Sequence, residues 1–291
     1  MLRTVLSLIV VLMLSVAATA GAAEKLKALV IDGQNNHNWK ATTPVIKKAM
    51  ESSNRFTVDV ATSPSRGKDM STFNPEFSKY DVVVSNYNGA MWSKKTQQAF
   101  LDYVNGGGGL VILHAANNSF GGWKEYNEII GLGGWGGRNQ RHGPYVYFKD
   151  DKLVRDESKG GGGHHGRQHD FAIMIRDSDH PITKGMPKVW LHVKDELYDK
   201  LRGPAVSMTV LATAYASPKT GGSGRHEPMI FTITAGKGRV FHTPMGHADY
   251  SMRCAGFQAT LNRGAEWAAT GKVTQPIPKD FPTADKTSTR K

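Results

Sequence analysis

Residues 26–39 read LKALVIDGQNNHNW, an unbroken apolar run that stops at Gly33 and passes into amides, a histidine and a tryptophan. Such a run, closed by glycine, has the pattern of a strand buried on both faces, as in a parallel sheet. Downstream, Phe56–Ala61 reads as a second strand, Tyr80–Asn86 (YDVVVSN) as a third with the same buried look, and Leu110–His114 (LVILH) as a fourth. Helical patterns lie between them. Thr42-Thr43-Pro44 offers a capping hydroxyl and a first-turn proline ahead of the stripe Val45, Ile46, Ala49 and Met50. Ser93 caps a second helix, with Phe100, Leu101 and Val104 on one face and the glycines of 106–109 at its end. Strands alternating with helices predict an α/β fold with a mainly parallel sheet.

The middle of the chain departs from this rhythm. Residues 131–168 carry glycine clusters (GLGGWGG, KGGGGHHG) around a hairpin-like YVYF, the pattern of a functional excursion rather than a second domain. Strand character resumes at Asp170–Ile175, Met208–Tyr215, Met229–Thr234 and Arg239–Pro244, and a last helix covers Cys254–Thr270. This predicts one domain over residues 24–273, with 274–291 as a wrapping or frayed tail.

The first 23 residues, MLRTVLSLIVVLMLSVAATAGAA, have the layout of an export signal: Arg3, an apolar run over Val5–Val16, then Ala18-Thr19-Ala20 as a small-x-small cleavage site. The run is too short for a bilayer anchor. Periplasmic or secreted location is therefore expected, with no stable membrane anchor. The 291 residues carry 37 Lys and Arg against 25 Asp and Glu, a net charge of +12. For an exported chain that excess points to anionic envelope surfaces rather than nucleic acid. The single cysteine, Cys254, excludes an intrachain disulfide and a cysteine-based zinc site.

Ligands of open parallel sheets sit beyond the carboxyl ends of the strands. Gln34, Asn35, Asn36, His37 and Trp39 follow the first strand; Asn86, Asn88 and Trp92 the third; His114, Asn117, Asn118 and Trp123 the fourth; Gly246 and His247 the last. Amides and indoles suit a neutral polyhydroxylated ligand, pairing with its hydroxyls and covering its C–H faces. The histidines His37, His114 and His247 are then candidates for the reacting centre. Asp195-Glu196-Leu197-Tyr198 offers adjacent carboxylates and a tyrosine for acid–base work, or alternatively an exposed helix start whose acids complement the helix dipole. The tract His164-His165-Gly166-Arg167-Gln168-His169-Asp170 suggests a divalent, zinc-like metal held by His165 and His169 with a carboxylate such as Asp170 or Glu196. No G-x-S-x-G nucleophile motif and no phosphate-binding glycine pattern is present.

Seven segments together resemble the trehalose-utilisation, ThuA-like family: DGQNNHNW (Asp32–Trp39), LVILHAA (Leu110–Ala116), GGGGHHGRQHDF (Gly160–Phe171), DHPITKGMPKVW (Asp179–Trp190), DELYDKLRGP (Asp195–Pro204), GRHEPM (Gly224–Met229) and GKGRVFHTPMGHA (Gly236–Ala248). The resemblance implies a flavodoxin-like fold related to class I glutamine amidotransferases, and a role with trehalose-like or keto disaccharides. It does not carry glutamine hydrolysis over, because the elbow after the fourth strand has histidine and alanine instead of the amidotransferase cysteine. The expected partner is a small-molecule carbohydrate. The expected catalytic set is His37, His114, Glu196 and His247, with Glu196 or a histidine as base. Gln34, Asn35, Asn36, Trp39, Asn88, Asn118, Trp123, Tyr198, Arg225 and His226 are the expected substrate contacts. Two functions fit: an acid/base lyase or hydrolase acting on the sugar, or a non-catalytic sugar-binding module.

Overall fold

A computed structural model of the chain describes residues 24–291, so the expected export signal lies outside the described residues. In chain order the elements are β1 (Leu26–Asp32), α1 (Trp39–Ser52), β2 (Phe56–Thr62), β3 (Val82–Ser85), α2 (Lys94–Gly106), β4 (Gly109–Leu113), α3 (Lys124–Ile130), β5 (Tyr145–Lys149), β6 (Lys152–Asp156) and β7 (His164–His165). There follow β8 (His169–Ile175), β9 (Val189–Asp195), β10 (Tyr198–Asp199), β11 (Met208–Tyr215), β12 (His226–Ala235), β13 (Gly238–Thr243), α4 (Asp249–Met252) and α5 (Ala255–Thr270).

The main sheet runs β2-β1-β3-β4-β13-β12-β11-β8-β9. Its first five strands are parallel. From β13 onward each neighbour is antiparallel. Four reversals lead from β13 to β9, so β9 points the same way as the parallel set and its carboxyl end lies toward the same edge. Helices cover both faces. Ile46 and Met50 of α1 and Phe257 and Leu261 of α5 pack one core; Phe100 of α2 and Tyr126 and Ile130 of α3 pack the other. The result is the expected α/β sandwich of three layers, flavodoxin-like in plan.

Local chemistry explains the boundaries. Asn38, not Thr42, caps α1: its side-chain oxygen accepts from the Ala41 amide at 3.2 Å. The helix thus begins three residues before the expected Thr42 start, and Pro44 lies inside it. Ser93 caps α2 as expected, accepting from the Thr96 amide at 3.2 Å, and Gly107 ends it at φ 120°, a conformation that favours glycine. Asp195-Glu196 closes strand β9 rather than opening a helix. The glycine-rich excursion is ordered by pairing, with β7 against β10. The tail packs Ile277 and Phe281 onto the α1/α5 core. No helix among the described residues is long and apolar enough to cross a membrane.

Candidate functional site

Four side chains converge at the carboxyl edge of the sheet. His37 follows β1, His114 follows β4, His247 follows β13 and Glu196 follows β9; one ligand atom from each lies within 4.8 Å of all the others. Glu196 Oε2 is the hub, 3.0 Å from His247 Nδ1, 3.6 Å from His114 Nε2 and 3.9 Å from His37 Nε2. The three imidazoles meet edge to face, with ring centroids 4.5–5.5 Å apart.

Two of the three tautomers are fixed from behind. His114 Nδ1 donates to the Pro244 carbonyl at 2.7 Å, which leaves a lone pair on Nε2 facing the centre. His37 Nδ1 lies 3.3 Å from Asn35 Oδ1, with the same consequence for its Nε2. Both His114 Nε2 and His247 Nδ1 are buried without a hydrogen-bond partner. His114 also holds φ 43°, a left-handed conformation uncommon outside glycine, at the sharp turn between β4 and the short 3-10 helix His114–Asn118. In the class of folds this chain resembles, that turn is the nucleophile elbow. Here it presents an imidazole.

Electrostatics agree with the geometry. Burial pushes the Glu196 carboxyl up, but the facing His114 and His247 outweigh this and hold it well below the usual carboxylate range. Burial, reinforced by His114 and His247, lowers His37 to about 3, so it stays neutral at physiological pH. Burial lowers His247 too, yet Glu196 prevails and raises it. A carboxylate facing two imidazole lone pairs, with the third imidazole nitrogen 3.0 Å away, is the donor set of a zinc-type centre.

Behind the centre stands Asp195, fully buried. Its Oδ1 accepts the amides of Glu196 at 2.8 Å and His247 at 2.9 Å, while Oδ2 accepts the Gly246 amide at 2.7 Å and His192 Nε2 at 2.8 Å. One carboxylate thus ties the end of β9 to the end of β13.

In front of the centre opens a cleft of about 360 Å³, lined by Asn36, His37, Asn88, Asn118, Trp135, Gly136, His165, Glu196 and Tyr198. Asn36, Asn88 and Asn118 therefore lie beyond the strand ends as expected, and Tyr198, an expected contact from the segment after β9, lines the cleft with them. His165 lines the same cleft, its Nε2 3.8 Å from Glu196 and its Nδ1 donating to the Gly166 carbonyl at 2.8 Å. His169 stands apart: its Nδ1 turns to the Arg167 carbonyl and it is outside the convergent group. The converging donors are thus a different set from the expected His165–His169 pair.

Other expected contacts have structural positions. Gln34 is a buried staple, donating to the Pro64 carbonyl at 2.7 Å and accepting from the Ala90 amide at 2.9 Å. Asn35 braces His37, accepting its amide at 2.9 Å. Trp123 is core, packed among Trp92, Phe100, Phe120 and Tyr126, because α3 turns it inward. Trp39 opens α1 and is not a lining residue of the cleft. Arg225 lies over the Tyr147 ring, and His226 beside Tyr215, both at the start of β12 away from the cleft. Sequence reasoning missed Trp135, which sits in the glycine run of the excursion.

The fold and this centre define an α/β protein with a three-imidazole, one-carboxylate site at the strand ends. The chain belongs to the trehalose-utilisation (ThuA) family, whose profile it matches over residues 27–268. It is similar to the crystal structure of a ThuA-like protein from Parabacteroides merdae ATCC 43184, with 53% identity and a TM-score of 0.90, over 92% of this chain and 98% of that one. A ThuA-like protein from Bacteroides uniformis ATCC 8492 shares the fold at 20% identity and a TM-score of 0.57, over 89% of this chain and 98% of that one. No functionally curated protein matches the chain.

Proposed function

We propose that this protein is an exported, metal-dependent carbohydrate-processing enzyme, with a single divalent ion held by His37, His114, His247 and Glu196. The observation that carries the reading is the convergence of these four donors from four separate strand ends, two of them buried nitrogens with no other partner. The family's link to trehalose utilisation supports a sugar as substrate, and three asparagines lining the cleft supply donor–acceptor pairs for its hydroxyls. The substrate class is a disaccharide or keto-sugar, and the reaction a lyase or hydrolase step.

A bound ion would polarise a sugar carbonyl or lower the pKa of a water. The chain's own residues do the rest. His165 faces the cleft outside the four-donor group, with its lone pair on Nε2, and is placed to take a proton. On a keto-sugar, removing the proton beside the ketone leaves the C–H electron pair to form an enolate. That pair then becomes a C=C bond as the glycosidic C–O bond breaks, and the departing oxygen takes the proton back from the His165 imidazolium.

Elemental analysis of protein purified without an affinity tag tests the centre. About one equivalent of zinc or a similar ion is expected, and it should be lost in His114→Ala and Glu196→Gln. Metal-free protein that keeps full sugar turnover in chelator would overturn the reading, whereas metal and sugar binding without any turnover would favour a binding module. Export is tested by the N-terminus of protein from the exported fraction, expected at Gly21 or Glu24.

A further inference from the structure

The glycine-rich excursion is built around one aromatic ring. Trp135 is only half-buried, at the rim of the cleft, with its centroid 4.7 Å from Tyr198 and 5.9 Å from His165. Its backbone is left-handed at φ 49°, and Gly136 and Gly137 continue in that region at φ 55° and 81°. A bulky residue does not adopt this conformation unless its surroundings impose it.

Three features impose it here. The Trp135 amide donates to the Gly162 carbonyl at 2.6 Å, and its carbonyl accepts from the Arg138 amide at 2.9 Å. Gly163 leaves room for the indole: a Cβ there would stand 2.7 Å from a Trp135 ring carbon. The Arg138 guanidinium, almost wholly buried, donates to the carbonyls of Gly134, Asn118 and Ser119 and to Asn127 Oδ1. That single side chain clamps the Trp135 loop to the loop carrying Asn118. Asn118 Oδ1, buried and without a partner, lies on the same wall of the cleft.

A large apolar ring fixed at the rim, rather than folded into the core 12 residues away where Trp123 packs, leaves part of its indole lining the cleft. The C–H face of a pyranose ring matches such a surface, and its hydroxyls match the asparagine wall. We infer that Trp135 is the platform of a second ring subsite. The substrate is then a glycoside of at least two rings, one at the four-donor centre and its neighbour stacked on the indole. This rests on the sugar reading of the site and adds the residue that holds the second ring.

The test compares wild-type, Trp135→Ala and Trp135→Phe protein, each checked for metal content and melting temperature. The probes are methyl α-glucoside as a one-ring ligand, trehalose and maltose as two-ring ligands, and p-nitrophenyl α-glucoside as an aromatic aglycone, titrated calorimetrically. Trp135→Ala should weaken a two-ring ligand about tenfold or more, leave the one-ring ligand within about twofold and keep the metal; Trp135→Phe should retain most of the two-ring affinity. Should Trp135→Ala fail to fold, Trp135→Phe still decides: the change in tryptophan emission that two-ring binding produces in wild type should vanish in it. Equal weakening of one-ring and two-ring ligands, or no weakening of either, overturns the subsite while leaving the sugar reading intact. Tight binding of the aromatic glycoside with no affinity for either disaccharide overturns the pyranose assignment. Wild type that binds its metal but none of these sugars, nor the keto form of either disaccharide, overturns the sugar reading itself, and the subsite with it.

Discussion

The His247 amide donates to Asp195 Oδ1 at 2.9 Å, across 52 residues of sequence. Asp195 has no part in the convergent group, yet it fixes the backbone of two members, since the Glu196 amide shares the same oxygen. Burial alone would push the Asp195 carboxyl up; the His192 hydrogen bond and charge and the Gly246 amide prevail and keep it ionised. Asp195→Asn should therefore lower zinc affinity by about 10–100-fold, the usual effect of losing an outer-shell partner, while circular dichroism stays native. Competition titration against a chromophoric chelator measures it, and unchanged affinity would show that β9 and β13 hold their ends without this tie.

The Arg138 clamp gives a stability prediction. Its guanidinium satisfies three backbone carbonyls and the Asn127 side chain of α3 from a buried position, and burial lowers its own pKa to about 10, still charged at neutral pH. Arg138→Met keeps the apolar stem but leaves those acceptors unpaired. Hydrogen bonds to a charged donor contribute about 1.5–3 kcal/mol each, not additively, so a loss of about 3 kcal/mol or more is expected. Urea unfolding measures it; a change under about 1 kcal/mol would mean that water replaces the clamp.

Much of the site was legible because parallel sheets deliver residues to one edge. His37, His114 and His247 follow strands whose apolar runs are plain in sequence, so their meeting follows from topology alone. Glu196 was harder to place. Residues 189–195, VWLHVKD, bury Trp190, His192 and Asp195 on a strand at the far end of the sheet, and the acidic pair Asp195-Glu196 at its end also fits a helix start. Chain-local spacing favoured His165 with His169, whereas pairing of β7 with β10 brings only His165 to the cleft. Trp123 and Trp135 exchanged expectations for one reason. Nothing in a glycine run reveals the buried arginine that fixes it, and nothing local shows which way a short helix turns its indole.

Glu227 should make stability fall as the pH rises from about 4.5 to about 7. It is buried on β12 with Asp199 nearby, and burial, only partly offset by the Ser223 hydroxyl, raises its pKa to about 7. A carboxyl whose folded pKa lies above its unfolded value of about 4.5 gives stability that is full below pH 4.5 and lost as pH rises through 7. At about 1.4 kcal/mol per unit over about 2.5 units, the loss is on the order of 3 kcal/mol and is complete by about pH 8. Glu227→Gln should flatten the unfolding free energy between pH 5 and 8. A parallel slope in the two proteins would assign the pH dependence elsewhere.

Glu266 should act in the opposite sense, at the join between α5 and the tail. Its side chain is buried: Oε1 accepts from Arg55 Nε at 2.9 Å and the Thr274 hydroxyl at 2.5 Å, and Oε2 accepts the amides of Thr274 at 2.9 Å and Gln275 at 3.3 Å. Burial raises its pKa, but these donors outweigh it and the carboxyl ends below its ordinary value. Stability from such a group is present above the unfolded pKa and drains away as pH falls through the folded one. Glu266→Gln leaves one oxygen to accept what two accept now and adds a donor facing the Arg55 cation and the tail amides. The expected cost is about 1–3 kcal/mol at pH 7, shrinking as the pH is lowered below 4 because the wild type then loses the same interaction. Thermal melts of the two proteins from pH 3 to 7 decide it. A difference that stays constant with pH would mean that the carboxylate's shape, and not its charge, holds the tail against α5.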